Sequence, residues 1–225
     1  IPSTKKKIKY RPFLVKEEKV LLIAMESNDA KEIANAVKTV INNCIITRGV
    51  KVDNLSTFDI EYLFLNIRGK SVGEEVDVLI TCPDDEVTQV PVSISLDDIK
   101  VVVDPDHNKD IKLDNSLTLR MKYPSLSQFV KSNFAGEDDM TIDDTFKMIS
   151  SCVDQIYNEE ESWTGADSTE KELKDFLEQL TSTQFKEIEK FFETMPKLSH
   201  KIKVKNPNTG VESEVALEGL TSFFA

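Results

Sequence analysis

Two histidines, three cysteines and several paired carboxylates are the groups in this 225-residue chain with the reactivity for catalysis or metal binding. His107 lies in the polar run Asp104-Pro105-Asp106-His107-Asn108, and His200 precedes an alternating apolar segment. Neither has a carboxylate at a helical ligand spacing or a recognisable nucleophile motif beside it, so both read as surface histidines. Cys44, Cys82 and Cys152 are far apart, odd in number and form no C-x-x-C pair. That spacing argues against a disulfide framework and against a zinc site built from adjacent thiols, and makes a reducing compartment the default. Asp138-Asp139, Asp143-Asp144 and Glu159-Glu160-Glu161 have oxygen donors for Mg²⁺ or Ca²⁺, but no EF-hand spacing around a central glycine occurs, nor a G-x-x-x-x-G-K or G-x-G-x-x-G phosphate loop. The expectation is a non-enzyme with no catalytic residue, no metal and no cofactor.

What remains is chemistry suited to gripping another protein. Lys9, Arg11, Pro12, Phe13 and Lys16 form a basic-aromatic segment. Arg11 beside Pro12 offers a planar multi-donor head on a restricted backbone, an arrangement fitted to a partner's carboxylates or carbonyls. Between Glu137 and Glu178, fourteen carboxylates face three lysines, a local net of −11 within a chain total of −12. Glu159, Glu160 and Glu161 are the densest part of that span and a candidate contact for a basic partner. Each feature has a plainer reading. Ile8, Tyr10, Phe13 and Val15 can be strand residues packing on helices around Val20 to Met25 and Ile33 to Ile41; the acids can be solvated helix faces. Phe58, Tyr62 and Phe64 read as core rather than as exposed anchors.

The elements that must position these groups are legible from periodicity. Apolar residues at 40% and charged residues at 30%, with only 7 Gly and 8 Pro, indicate an ordered fold with a substantial core. The charge of −12 opposes general nucleic-acid binding. The longest apolar run, Val20 to Met25, is six residues, so no membrane helix is encoded. Lys5-Lys6-Lys7 resembles the start of a secretory signal, but Lys16-Glu17-Glu18-Lys19 interrupts the segment behind it and no cleavage site follows. The chain begins at Ile1 rather than Met, and a natural start upstream is expected.

Capping boxes of the S/T/D-x-x-D/E/Q type stand at Asp29/Glu32, Thr141/Asp144, Thr169/Glu172 and Thr181/Gln184. They open four helical stripes: Ile33, Val37, Val40, Ile41, Cys44; Phe146, Ile149, Val153, Ile156; Leu173, Phe176, Leu177, Leu180; and Phe185, Ile188, Phe192, Met195. The last two stripes read as a helical hairpin that Pro196 stops. Strand alternation marks Val76, Val78, Ile80, then Val90, Val92, Ile94, Leu96, then Leu117, Leu119, Met121, with turns at Cys82 to Glu86 and Asp104 to Asn108. Val78 to Pro83 is echoed by Ile202 to Pro207, and Ser95 to Ile99 by Ala216 to Leu220, a weak internal repeat of strand, turn and strand. The expected fold is α+β: a helical N-terminal region, central antiparallel strands, an acidic helical second half and a C-terminal hairpin. The expected divisions are 1–135 (mixed), 136–196 (acidic helical) and 197–225 (hairpin with terminal helix or tail).

Tyr10-Arg11-Pro12-Phe13-Leu14-Val15-Lys16-Glu17-Glu18-Lys19, the Met25-Glu26-Ser27 that follows, and Thr57 to Arg68 resemble the N-terminal half of the baseplate hub assembly proteins of T4-like contractile-tailed bacteriophages. The resemblance covers most of the chain and is strongest from Ile8 to Gly73. The C-terminal hairpin is similar to the zinc-ribbon knuckle of some relatives, whose paired cysteines stand at Asn206 and Thr209, before Gly210. Both thiols are absent here, so the hairpin is expected to be a degenerate, metal-free version packed on Val204, Val211, Val215 and Phe223-Phe224. The resemblance implies a non-catalytic virion protein of the tail baseplate, assembled in the host cytoplasm and binding other baseplate hub or tape-measure proteins. Its alternative implication is a transient tail-assembly chaperone for such a protein, not retained in the virion. Neither implication fixes an oligomeric state.

Overall fold

A computed structural model describes residues 1–27, 29–125 and 141–218. Its contacts divide the chain into two compact units, Ile1–Val102 with Pro196–Ala225, and Val103–Met195.

In the first unit, the chain opens on a turn at residues 2–4, and residues 9–11, ahead of α1 (Val15–Glu26), are clipped to the chain leaving α2 (Ala30–Cys44). The clip is one bridge, Tyr10 to Ile45, with Ile46 N–H donating to Lys9 O at 2.8 Å and Arg11 N–H to Cys44 O at 2.9 Å. This segment is therefore a tethered ribbon rather than the strand expected through Val15; Val15 opens α1 and is 79% exposed. Asp29 caps α2 by accepting from Lys31 and Glu32 N–H, and Val37, Val40, Ile41 and Cys44 are buried on the face that periodicity assigned them. Helix α3 (Thr57–Val72) buries Phe58, Ile60, Leu63, Phe64, Leu65 and Ile67, which spread over most of its circumference; it is a central rather than an amphipathic helix. Buried Asp59 accepts from Ser3 through both N–H, at 2.9 Å, and Oγ, which fixes the start of the chain to α3.

Two antiparallel hairpins complete this unit: β1 (Glu75–Thr81) with β2 (Gln89–Ser95), and β8 (Lys197–Lys205) with β9 (Glu212–Glu218). The short strand β3 (Lys100–Val102) pairs with β8. Val76, Val78, Ile80 and Ile94 of the first hairpin share a core with Leu198, Ile202, Val204 and Leu217 of the second. The C-terminal hairpin, expected as a separate part, is thus paired by backbone to β3 and packed by side chains on β1 and β2, because its alternating apolar face needs a partner to bury it.

The second unit carries a four-stranded antiparallel sheet in the order β4 (Asp110–Lys112), β5 (Thr118–Met121), β6 (Val153–Tyr157), β7 (Ser162–Thr164). Helices α4 (Ile142–Ser151), α5 (Glu170–Glu178) and α6 (Ser182–Glu193) each begin with a formed capping box, on Thr141, Thr169 and Thr181 respectively. Leu119, Met121, Val153, Ile149, Leu173, Leu177, Ile188 and Phe191 make its core.

The acidic second half is therefore not wholly helical. Cys152 N–H bonds back to Ile149 O at 2.9 Å and ends α4, and the helical stripe that included Val153 and Ile156 continues as a strand. The register of β5 on β6 shifts between Arg120 and Met121, so that Leu119 faces Ile156 and Met121 faces Val153. A bulge turns a spacing of three, helical on the page, into two inward positions on one strand. The expected boundary near residues 135 to 139 lies outside the described residues. So do Asp138-Asp139 and Phe223-Phe224.

Candidate functional site

The N-terminal basic segment is organised around a buried carboxylate. Glu17, on the first turn of α1, is 1% exposed; its Oε2 accepts from Leu14 N–H at 2.7 Å and its Oε1 from Arg11 Nη2 at 3.0 Å. Arg11 spends its other terminal nitrogen on Pro12 O at 2.8 Å and approaches Cys44 Sγ at 3.8 Å. Its hydrogen bond with Glu17 raises the guanidinium pKa, and the same bond, aided by the Leu14 amide, holds the Glu17 carboxyl below the ordinary range against the opposing effect of burial. Arg11 thus closes the N-terminus of α1, with about a third of its side chain open to solvent. Lys16 adds a second cation 3.6 Å from Glu17 and is otherwise in water. Lys9 and Pro12 are exposed, and Phe13 is half-buried with its N–H donating to Ser71 Oγ at 2.9 Å. Among the apolar residues of α1, its N-cap and the end of α3, Leu14, Leu22, Ile23 and Val72 are each more than half exposed. The unbroken run Val20 to Met25 gives no sign of which side is outward, since an α-helix turns about 100° per residue.

Glu159, Glu160 and Glu161 are all exposed at the tip of the β6–β7 hairpin rather than on a helix. Asn158 Oδ1 accepts from Glu160 and Glu161 N–H at 2.8 and 2.7 Å and holds the turn. Nothing in this arrangement resembles a reaction centre, and the triad and the Arg11 segment belong to different units.

A third cluster, absent from the candidates read off the sequence, joins the turns of the two hairpins of the first unit. Cys82-Pro83-Asp84-Asp85-Glu86 and Asn206-Pro207-Asn208-Thr209-Gly210 share an X-Pro-x-x frame with a positive φ at the fifth residue, 57° at Glu86 and 75° at Gly210. Asn206 Nδ2 lies 3.0 and 3.1 Å from the two Asp84 oxygens and 2.9 Å from Asp85 Oδ2, while Thr209 Oγ1 donates to Asp84 at 2.5 Å. Asn206 Oδ1 meanwhile accepts from Asn208 and Thr209 N–H at 2.8 and 3.3 Å. These donors lower both carboxyl pKa values: Thr209 and then Asn206 act on Asp84, whereas Thr88 acts first on Asp85. The internal repeat was the available signal for this clasp. That the two copies face each other was not.

His107 is not a free surface histidine. Its Nδ1 is 3.0 Å from Thr194 Oγ1 and its Nε2 3.0 Å from Tyr123 Oη; burial, then Lys109, lowers its pKa. Thr194 Oγ1 already donates to Lys190 O, so His107 Nδ1–H donates to Thr194. Cys44, Cys82 and Cys152 are all buried thiols without a disulfide. Among the described residues, no group of three or more His, Cys, Asp or Glu side chains is placed to hold a metal ion, and no helix is long and apolar enough to cross a membrane.

Comparison with protein families matches the whole chain, residues 1–225, to the family described as T4 bacteriophage base plate protein. Comparison with curated proteins and with solved structures gives no match.

Proposed function

The chain belongs to the T4 bacteriophage base plate protein family, and from that membership we propose that it acts in the baseplate hub by binding other hub or tape-measure proteins, without catalysis. It is a phage baseplate protein of the virion tail. The hub position, the binding role and assembly in the host cytoplasm are what we propose beyond that membership. The match across all 225 residues supports the baseplate assignment from which that proposal starts. The surface chemistry supports it: the exposed groups with most capacity for recognition are a lysine-flanked apolar face on α1 and a strongly acidic second unit, both suited to protein contacts.

Quantitative mass spectrometry of purified mature particles and of assembly intermediates tests the reading. A fixed copy number in the virion, with hub or tape-measure proteins recovered by cross-linking, is the expected result for a structural component. Presence in intermediates and absence from virions would make the protein a transient chaperone instead. Absence from both would remove the hub role.

A further inference from the structure

The second unit contains a cleft of about 670 Å³ between β7 and α5, floored by Leu117, Ile156, Leu173 and Phe176 and walled by Trp163. We propose that this cleft receives one large apolar side chain from a lysine- or arginine-rich segment of a partner protein. The inference deepens the protein-binding role proposed above and rests on it.

Trp163 is the only tryptophan of the chain and is 45% exposed on β7, a strand with every residue exposed, at the edge of its sheet. An indole gains more from burial than almost any other side chain, and tryptophan is the residue most enriched among interface hot spots. Here its ring stands beside an apolar hollow large enough for an aromatic or branched aliphatic group. The floor is apolar because Leu173 and Phe176 lie on the inward stripe of α5, while Ile156 comes from β6 and Leu117 from the β4–β5 turn.

The partner's charge follows from the rim. Asp167 and Glu172 border the cleft, and no lysine or arginine is among the described residues lining it. Both acids already accept hydrogen bonds, Asp167 from Thr164 and Glu172 from Thr169, which fixes their positions and leaves each carboxylate with further lone pairs. Residues 103–195 contain twenty-one carboxylates against ten lysines and arginines, a net of −11. An acidic segment would be repelled on approach, and a neutral apolar one would leave the rim unmatched. A basic segment is drawn in by the field and anchored by its apolar side chain.

The test uses the full chain and a synthetic peptide with one Phe between two pairs of lysines. Trp163 emission reports binding directly. Expected are saturable binding, a loss of at least about tenfold on replacing the peptide Phe with Ala, and progressive weakening with salt. Fluorescence anisotropy of a labelled peptide then follows Trp163→Ala and Asp167→Asn, each first shown to be folded by circular dichroism and melting. Trp163→Ala should lose at least about tenfold, and Asp167→Asn a smaller factor with a flatter salt dependence. Equal affinity for the Phe and Ala peptides, no binding at millimolar peptide, or unchanged binding by Trp163→Ala would overturn the proposal. A self-association of the protein alone that Trp163→Ala abolishes would assign the cleft to a second copy and overturn it likewise. Failure of the broader role is separately visible: a protein missing from particles and intermediates would still bind the peptide.

Discussion

Asn206 is 1% exposed and ties two hairpins together through one amide, which makes its removal a quantitative test of the clasp. Asn206→Ala deletes a donor shared by two carboxylates and an acceptor serving two backbone N–H groups. A hydrogen bond to a charged group contributes about 1.5–3 kcal/mol and a neutral one about 1 kcal/mol. Water can reach Asp84 and Thr209 and replace part of this, so a net loss of about 3 kcal/mol is expected. For a chain of this size that corresponds to a fall in Tm of about 6–12 °C. Asn206→Asp isolates the donor, since its remaining oxygen can still accept from Asn208 and Thr209 while the other sets a third carboxylate against Asp84 and Asp85. The two variants differ in the pH range over which their deficits change. In the wild type, Asp84 and Asp85 titrate below their unfolded value near 4, so their contribution is complete above that pH and is lost as pH falls through the depressed folded values. In Asn206→Asp the new carboxyl is destabilised when charged and can donate when protonated, so its deficit relative to wild type should shrink between pH 7 and pH 4. Urea unfolding followed by circular dichroism across that range measures both. A cost for Asn206→Ala below about 0.5 kcal/mol, the range of an ordinary surface change, would refute the reasoning, as would a pH-independent deficit for Asn206→Asp.

Arg11→Ala should be more damaging to thermal stability than Glu17→Gln, because it leaves the buried Glu17 carboxylate without its cation, whereas the glutamine amide oxygen can still accept from Leu14 or Arg11 and the guanidinium keeps access to solvent; equal melting curves would remove the ion pair as a source of stability. Arg11→Ala protein that is folded but no longer recovers hub proteins in a pull-down would identify Arg11 as a contact or the immediate support of one, and undiminished recovery would move the interface elsewhere. Replacing Glu159, Glu160 and Glu161 with Gln should slow association with a basic partner and reduce its salt dependence while leaving melting within about 1 °C, since the three side chains stand in solvent; salt-independent binding would return the turn to a solvated surface. Purified protein should carry no stoichiometric zinc, and chelator should leave its unfolding curve unchanged; one tightly held zinc per chain would show that Cys82 or His200 meets ligands from distant segments.

Local signals in the sequence were sufficient for most elements. The Thr141/Asp144, Thr169/Glu172 and Thr181/Gln184 boxes place three helix starts because capping is decided within four residues. Val76, Val78 and Ile80 alternate in burial as they alternate in sequence. Val153 and Ile156 were misleading because a bulge depends on which strand lies alongside, and strand pairing is a property of the tertiary fold. Arg11 looked like a group in search of a partner for the same reason: six residues separate it from Glu17, and only an extended turn into α1 brings them to 3.0 Å. Its availability to another protein depends on the exposed third of its side chain. The apolar floor beside Trp163 combines residues from the β4–β5 turn, α5 and the β6–β7 hairpin, a combination no window of sequence displays.

The paired turns connect the chain's composition to its fold most directly. The side chains of Asn206 and Thr209 present hydrogen-bond donors to Asp84 and Asp85. Two adjacent carboxylates at the tip of a packed hairpin repel each other unless donors face them, and donors buried without acceptors cost comparably. The Asp pair on one turn and the Asn-Thr pair on the other therefore make sense only together. Cys82, at the position equivalent to Asn206 in the repeat, is 1% exposed, and burial, then the charges of Asp84 and Asp85, raise its thiol pKa. Its sulfur is accordingly held as a neutral thiol, the form that packs rather than the form that binds metal. A chain that closes its hairpins in this way depends on acceptors staying ionised, and so on pH, where a thiolate site would depend on metal supply.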